Sequence, residues 1–133
     1  FVAKRKDNPV DKWQMPQGGI DFNETPFEAM IRELAEETSI KNIKVLKEIE
    51  KSLEYELPPN LLGKIWKGKF RGQKQKWYIV KFLGNDEEIN LNTKHPEFIE
   101  WKWINYNLLT DVIVDFKKEV YEKLKIELKN FIH

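Results

Sequence analysis

The sequence contains no cysteine and only two histidines among its 133 residues. Without thiols it has no disulfide framework, no cysteine zinc site and no thiolate nucleophile, and two histidines leave little for an imidazole cage. A metal site in this chain would therefore need oxygen ligands. The sequence also lacks an apolar run near the roughly 18 residues of a transmembrane helix, and it shows no leader resembling a signal peptide. These absences predict a cytoplasmic protein.

The composition is typical of one globular domain, which we expect to span residues 1–133. Hydrophobic residues make up 41%, charged residues 34% and aromatic residues 13%. With 23 Lys and Arg against 22 Asp and Glu, the net charge of +1 gives no whole-molecule argument for nucleic-acid binding. The chain opens without Met in a strand-like segment, so we expect a first strand upstream of this sequence.

Hydrophobic periodicity predicts strands mixed with two helices. Segments rich in Ile, Val, Trp, Tyr and Phe predict strands over 1–5, 43–56, 64–70, 75–83 and 99–104. Helical spacing occurs over 26–38 and 116–131, and in the second of these Phe116, Val120, Leu124 and Leu128 recur every fourth residue. We expect an α+β fold in which a mixed β-sheet packs between α-helices and most strands pair antiparallel.

The first predicted helix has a well-specified start and two distinct faces. Thr25, Pro26 and Glu28 supply an N-cap, a first-turn proline and the reciprocal acid of a capping box. A helical projection places the apolar residues on one face, which predicts the core side: Phe27, Met30, Ile31, Leu34 and Ala35. The opposite face is acidic and carries Glu33, Glu36 and Glu37.

The acidic face is locally unfavourable. Carboxylates three and four residues apart repel each other, and acids in the last turns of a helix oppose its dipole at about 0.3–1 kcal/mol each. Two interpretations remain open from spacing alone. Arg32 can pair with Glu36 and Glu28, which would make this an ion-paired surface helix. Alternatively the acids bind Mg²⁺ or Mn²⁺, hard ions that take carboxylates and complete their shell with substrate phosphates.

A longer pattern surrounds this helix. Gly18 is followed after five residues by Glu24 and after seven more by Arg32-Glu33-Leu34, then by Glu36-Glu37, Ser39 and Ile40. This pattern resembles the Nudix box, the loop-helix-loop signature of hydrolases acting on nucleoside diphosphates linked to another group, and places it at 18–40. The family usually has glycine at the position of Ser39. If that position requires a positive φ, serine adds about 1 kcal/mol of strain but removes no ligand.

The resemblance extends over nearly the whole chain. The segments 13–20, 72–77, 96–98 and 101–103 are similar to those of bacterial RNA pyrophosphohydrolases, a Nudix group also described as dinucleoside polyphosphate hydrolases. The resemblance implies Mg²⁺-dependent removal of pyrophosphate from a triphosphorylated RNA 5′ end, which leaves a 5′-monophosphate and promotes decay of the RNA. Cleavage of diadenosine polyphosphates is the alternative. A non-catalytic Nudix module that binds nucleotides or RNA is a further alternative, against which the intact set of self-repelling acids argues.

The resemblance also implies roles for individual residues. The metal ligands would be Glu33, Glu36, Glu37, Glu97 and the Gly18 carbonyl, holding two or more Mg²⁺ or Mn²⁺ ions without an organic cofactor. Glu36, Glu37 or Glu97 could each accept the proton of the attacking water, and the choice stays open. Glu24 and Arg32 would be structural and pair with each other. From the residues alone, Glu97 is an ordinary loop acid between Pro96 and Phe98.

The substrate side is indicated by a basic and aromatic segment. Residues 64–81 hold seven Lys and Arg and no acid, interleaved with aromatic residues. This composition suits phosphates and unstacked bases, although an amphipathic sheet with solvent-facing lysines explains it as well. The resemblance implies that the substrate-binding residues are Arg5, Tyr55, Gln73, Lys74, Phe116 and Lys117. Phe116 has a competing explanation as the first core residue of the C-terminal helix. Separately, we expect the protein to be a monomer.

Overall fold

The computed structural model describes residues 1–7, 11–60 and 72–132. The predicted strand over 64–70, with Lys64, Lys67, Lys69 and Arg71 of the basic segment, lies outside the described residues. The chain divides into two compact units, which we describe separately. The first unit comprises Phe1–Glu48 and Tyr78–Ile104, and the second comprises Ile49–Trp77 and Asn105–His133.

The described elements are six strands, which pair antiparallel, and three α-helices, which confirms the α+β class. In chain order they are β1 (Val2–Arg5), α1 (Pro26–Thr38), β2 (Ile43–Glu48), β3 (Leu53–Glu56), β4 (Gly72–Gln75), β5 (Tyr78–Phe82), β6 (Phe98–Lys102), α2 (Leu109–Val112) and α3 (Lys118–Lys129). The strands pair as three antiparallel ladders, β1–β6, β2–β5 and β3–β4. In the described part of the chain, no helix is both long and apolar enough to cross a bilayer.

The β1–β6 ladder of the first unit positions the loop of Glu97, one of the predicted site residues. Lys4 pairs with Glu100, but Arg5 pairs with Phe98, so Ile99 is an extra residue that forms a bulge. Just before β6, the Glu97 carbonyl accepts a hydrogen bond of 3.0 Å from the Lys6 backbone N–H. The loop that carries Glu97 is therefore attached to the end of β1.

Helix α1 begins and ends where the sequence predicts. Both hydrogen bonds of the Thr25–Glu28 capping box are present, and Pro26 opens the helix. The helix ends at Ser39, whose φ of 66° lies in the left-handed region. The positive φ anticipated for this position is thus present, and serine carries the strain that glycine would avoid.

The predicted faces of α1 are partly wrong. Phe27 is 45% exposed and Ile31 is 38% exposed, whereas Glu37, assigned to the acidic face, is only 3% exposed. Small Ala29 takes the most buried apolar place on the helix, and Phe27 instead makes an edge-on contact with the ring of Tyr78, at 5.8 Å between centroids. The end of α1 buries an acid because a loop from elsewhere in the chain covers it, which helical periodicity does not report.

The second unit combines the β3–β4 ladder with α2 and α3. Val120 and Leu124 of α3 are nearly fully buried, as the fourfold spacing predicts, and Tyr121 beside them is buried too. The helix begins at Lys118 rather than at residue 116, because Asp115–Lys117 forms a separate 3₁₀ turn. Phe116 is therefore not the first core residue of α3.

Two strand boundaries differ from the sequence-based prediction. The segment 43–56 is two strands rather than one, because residues 49–52, which connect β2 to β3, are not part of either strand. The segment 75–83 likewise contains the end of β4 and all of β5. The break follows from pairing, since β2 pairs with β5 whereas β3 pairs with β4. Composition alone does not show where a run of strand-forming residues changes partner.

Candidate active site

Arg32 organises the loop that precedes α1. Its guanidinium donates to both carboxylate oxygens of Glu24, at 2.7 and 2.9 Å, and to the Gly19 carbonyl at 2.8 Å. Glu24 also accepts a hydrogen bond of 2.9 Å from the Asp21 backbone N–H. The pairing predicted between Glu24 and Arg32 is present, and bidentate geometry makes it a specific contact. It fixes the path of the loop against the helix.

The same guanidinium reaches two acids of α1. Nη1 of Arg32 donates to Glu33 at 2.7 Å and to Glu36 at 3.1 Å. The predicted pairing with Glu36 is therefore present, but the second predicted partner, Glu28, is wrong, because its carboxylate accepts from the Thr25 N–H in the capping box. The arginine therefore offsets part of the repulsion between the carboxylates.

The Glu24–Arg32 pair predicts a specific acid sensitivity. Hydrogen bonds from Arg32 and from the Asp21 backbone lower the pKa of Glu24 to about 2. Because this pKa is below that of the unfolded chain, the pair stabilises the fold above about pH 4.5 and is lost as the pH falls toward 2. We expect Glu24→Gln to flatten the decline in melting temperature between pH 5 and 3. Exposed Glu122→Gln on α3 is the control and should keep the wild-type decline; an unaltered profile in Glu24→Gln would contradict this account.

Glu37 occupies the most unusual position among the acids. Burial first, and then the nearby charges of Glu97 and Glu33, raise the pKa of Glu37 to about 9. A side-chain hydrogen bond with Glu97 contributes in the same direction. The Oε2 atom of Glu37 is buried without a hydrogen-bond partner. An unpaired buried oxygen is costly in a purely structural role.

Arg5 approaches this pair from β1. One of its guanidinium nitrogens lies 3.7 Å from Oε2 of Glu97, and the group also donates to Asp7 at 2.9 and 3.2 Å. The pKa of Arg5 is raised, mainly by the hydrogen bond to Asp7. The structure thus brings together Arg5, Glu37 and Glu97, which are far apart in sequence. Asp7 was not anticipated, because a loop acid has no periodic pattern that would reveal it.

The first unit has two features that suit a divalent cation site, although its described acids are not arranged as a preformed one. Its donors are all oxygens, one of which is the unpartnered Glu37 Oε2. Gly18 lies so close to α1 that a Cβ atom there would overlap the Glu33 carboxylate, so any larger residue would require the Glu33 side chain to move. Within residues 1–7, 11–60 and 72–132, no three acidic or imidazole side chains form a ready-made metal cage. Arg32 donates to both Glu33 and Glu36, and ion binding there would have to replace these contacts.

In the second unit, four of the predicted substrate-binding residues lie together. The Tyr55 hydroxyl donates to Oε1 of Gln73 at 2.9 Å, and the rings of Tyr55 and Phe116 are 5.4 Å apart. Nζ of Lys117 lies 5.4 Å from the centroid of the Tyr55 ring. Gln75, which sequence analysis passed over, also donates to Gln73 at 3.0 Å. Its i, i+2 spacing from Gln73 on a strand was the available signal.

Lys74 is not part of this cluster. It pairs with Glu54 across the β3–β4 ladder, whereas Gln73 pairs with Tyr55. Because side chains alternate along a strand, Lys74 and Gln73 point to opposite faces. Gln73 and Lys74, which were both predicted to contact the substrate, therefore lie on opposite faces of the β3–β4 ladder.

Comparison with protein families and curated sequences gives a consistent result. The model of the NUDIX domain matches residues 1–124. The chain is 57% identical over 133 residues to the RNA pyrophosphohydrolase of Pelagibacter ubique, covering all of this chain and 84% of that protein. It is 48% identical over 131 residues to the RNA pyrophosphohydrolase of Rhodospirillum rubrum, covering 98% of this chain and 79% of that protein.

Solved structures with the same fold are more distant in sequence. The Escherichia coli dihydroneopterin triphosphate pyrophosphohydrolase superposes with a TM-score of 0.68 at 19% identity, covering 95% of this chain and 84% of that one. A Caenorhabditis elegans Ap4A hydrolase superposes with a TM-score of 0.65 at 17% identity, covering 97% and 86%. At these identities the likeness establishes the fold alone.

Proposed function

Since the chain belongs to the NUDIX family, with 57% identity to one RNA pyrophosphohydrolase, we propose that it hydrolyses the 5′-triphosphate end of RNA. The products are a 5′-monophosphate RNA and pyrophosphate, and the conversion promotes RNA decay. The chain is thus a pyrophosphohydrolase. The observation that carries the proposal is the buried Glu37 carboxyl, which faces Glu97 and has one unpartnered oxygen.

Oxygen atoms of the first unit are proposed to bind two or more Mg²⁺ or Mn²⁺ ions. The proposed ligands are the Gly18 carbonyl and the carboxylates of Glu33, Glu36, Glu37 and Glu97. When bound, such ions neutralise phosphate charge and lower the pKa of water. The chain contributes the arrangement of oxygens, with α1 supplying three carboxylates and the loop before β6 supplying the fourth.

The hydrolytic step needs an acceptor for one proton. A water oxygen forms a bond to phosphorus while the bridging P–O bond breaks, and the water's proton passes to a carboxylate. Glu36, Glu37 and Glu97 are the candidates. Arg5 is proposed to bind a substrate phosphate, since its guanidinium lies beside Glu97. Exchange of its Asp7 contact for a phosphate would keep its charge paired.

The substrate's first nucleotides are proposed to contact the cluster in the second unit. The Tyr55 and Phe116 rings offer stacking surfaces, and Lys117 and Gln73 supply polar groups beside them. Aromatic stacking with a nearby cation is a common way to bind unstacked bases. An RNA substrate also accords with the cytoplasmic, monomeric protein expected from the sequence.

A direct competition tests the substrate. Triphosphorylated RNA and diadenosine tetraphosphate are offered together at matched concentration with Mg²⁺, and kcat/KM is measured for each. We expect a preference of at least about tenfold for RNA. A preference for the dinucleotide would replace the RNA proposal with the dinucleoside polyphosphate alternative. Binding of RNA without turnover of either compound would identify a non-catalytic module.

Gln73 and Lys74 form a matched pair for the RNA contacts. We expect Gln73→Ala to lower kcat/KM for RNA by about tenfold, because Gln73 belongs to the aromatic cluster. Lys74→Ala should lower it only about twofold at low salt and not at high salt, because its charge acts from the other face. Exposed Lys123→Ala on α3 is the charge control. A larger loss in Lys74→Ala than in Gln73→Ala would reverse the assignment of faces.

A further inference from the structure

Ser39, at the C-terminal end of α1, makes a contact that a glycine there could not make. Its hydroxyl donates a hydrogen bond of 2.8 Å to the backbone carbonyl of Asn90. The partner is 51 residues away in sequence. Next to it, the Asn90 N–H donates to the Thr38 carbonyl at 3.0 Å. The end of α1 and residue 90 are therefore joined by a pair of hydrogen bonds.

These bonds fix one end of the segment that carries Glu97. Asn90 also accepts, through its Oδ1, a 2.9 Å hydrogen bond from the Asn92 N–H, which orders the start of the segment. The other end is fixed where the Lys6 N–H donates to the Glu97 carbonyl. Residues 91–96 thus run between an anchor at the end of α1 and an anchor at Lys6, directly after β1. Glu37, which faces Glu97, lies two positions before Ser39 on the same helix.

The contact also explains why serine is tolerated in a strained conformation. A φ of 66° disfavours any side chain with a Cβ, and glycine would remove that strain. Serine retains the strain but gains the Asn90 hydrogen bond, so the two effects on stability oppose each other. The fold therefore gains little net stability from serine, and the effect that remains is on the position of the 90–97 segment.

We propose that Ser39 is a positioning residue that, through Asn90, holds the loop of Glu97 against Glu37 at the end of α1. This inference rests on the proposed function for its effect on turnover. The Asn90–Thr38 bond does not involve a side chain of residue 39, so it survives substitution there and the loss of positioning is partial.

Two substitutions separate positioning from stability. In Ser39→Gly the strain and the hydrogen bond are lost together, so we expect a melting temperature within about 2 °C of wild type. The kcat for RNA should fall about tenfold while KM stays within about twofold. In Ser39→Thr the hydroxyl remains but a β-branched residue is placed at positive φ, so the melting temperature should fall by several degrees. Its kcat at a permissive temperature should stay within about twofold of wild type.

A readout independent of turnover completes the test. Hydrogen exchange of residues 91–98 is measured in the protein with chelator present. We expect exchange to accelerate about fivefold in Ser39→Gly and to stay at the wild-type rate in Ser39→Thr. Unchanged exchange in Ser39→Gly, or equal loss of kcat in both variants, would overturn the proposal. A wild-type protein that hydrolyses neither substrate would refute the proposed function, and the exchange measurement would still decide the role of Ser39.

Discussion

Replacing Glu37 by glutamine is expected to abolish Mg²⁺-dependent hydrolysis, with a loss of at least about 10³-fold in kcat. Glutamine keeps the shape of the side chain but removes the negative charge and replaces one carboxylate oxygen with an amide nitrogen. The buried Oε2, which has no hydrogen-bond partner, is the atom most directly affected. Release of pyrophosphate from triphosphorylated RNA measures the effect, and circular dichroism shows whether the fold is retained. Undiminished turnover would remove Glu37 from the site.

The same substitution should stabilise the protein in the presence of a chelator. Because burial and Glu97 raise the pKa of Glu37 to about 9, the folded chain binds a proton that the unfolded chain releases above about pH 4.5. Stability therefore declines as the pH rises between these values, and a neutral amide avoids this loss. We expect a gain on the order of 2 kcal/mol at pH 7, seen as a melting temperature higher by several degrees. Opposite effects on stability and turnover would distinguish a functional acid from a structural one.

Adding a single methyl group at Gly18 is expected to have the second largest effect. In Gly18→Ala the new Cβ would overlap the Glu33 carboxylate, which would have to move away from the loop. Since a flexible side chain can move at little cost, we expect a melting temperature within about 3 °C of wild type. The kcat should nevertheless fall about 10²-fold, because small displacements of a reacting geometry are costly. Steady-state kinetics at several Mg²⁺ concentrations measures the loss.

Gly19 provides the matched control. A Cβ atom there would meet no atom within 4 Å, so Gly19→Ala makes the same chemical change one residue away without the overlap. We expect its kcat to stay within about twofold of wild type. Equal losses in the two variants would show that the loop needs backbone freedom at both positions, and the closeness of Gly18 to Glu33 would no longer explain the effect.

The features predicted from the sequence are those that depend on neighbours along the chain. The capping box at Thr25 and Glu28 sets the start of α1 through residues three positions apart, and the sequence shows both. The Glu24–Arg32 pair and the positive φ of Ser39 are also local to the box. For these features the resemblance and the physical interpretation of the residues agree, and the structure contains all three.

The features that were missed depend on contacts between distant parts of the chain. Glu37 is buried because the loop of Glu97 covers it, whereas the periodicity of α1 alone places it toward solvent. Phe27 and Ile31 are half-exposed, although the same periodicity places them toward the core. The separation of Lys74 from Gln73 required the register of β3 against β4, which composition does not specify. The roles proposed for the individual site residues remain predictions for the experiments above.

The bulge at Ile99 limits how the chain can change in length. Removing this one residue would let β1 and β6 pair without interruption, and Glu97 would be drawn about 3.3 Å along the strand. A hydrogen bond to Glu37 does not survive a displacement of that size. Extra residues between 91 and 96 would leave the β1–β6 register intact and cost little entropy on folding, but they would loosen the connection between Asn90 and Glu97. Insertions in that connection should therefore spare the fold and lower turnover, whereas a deletion at Ile99 displaces Glu97 itself.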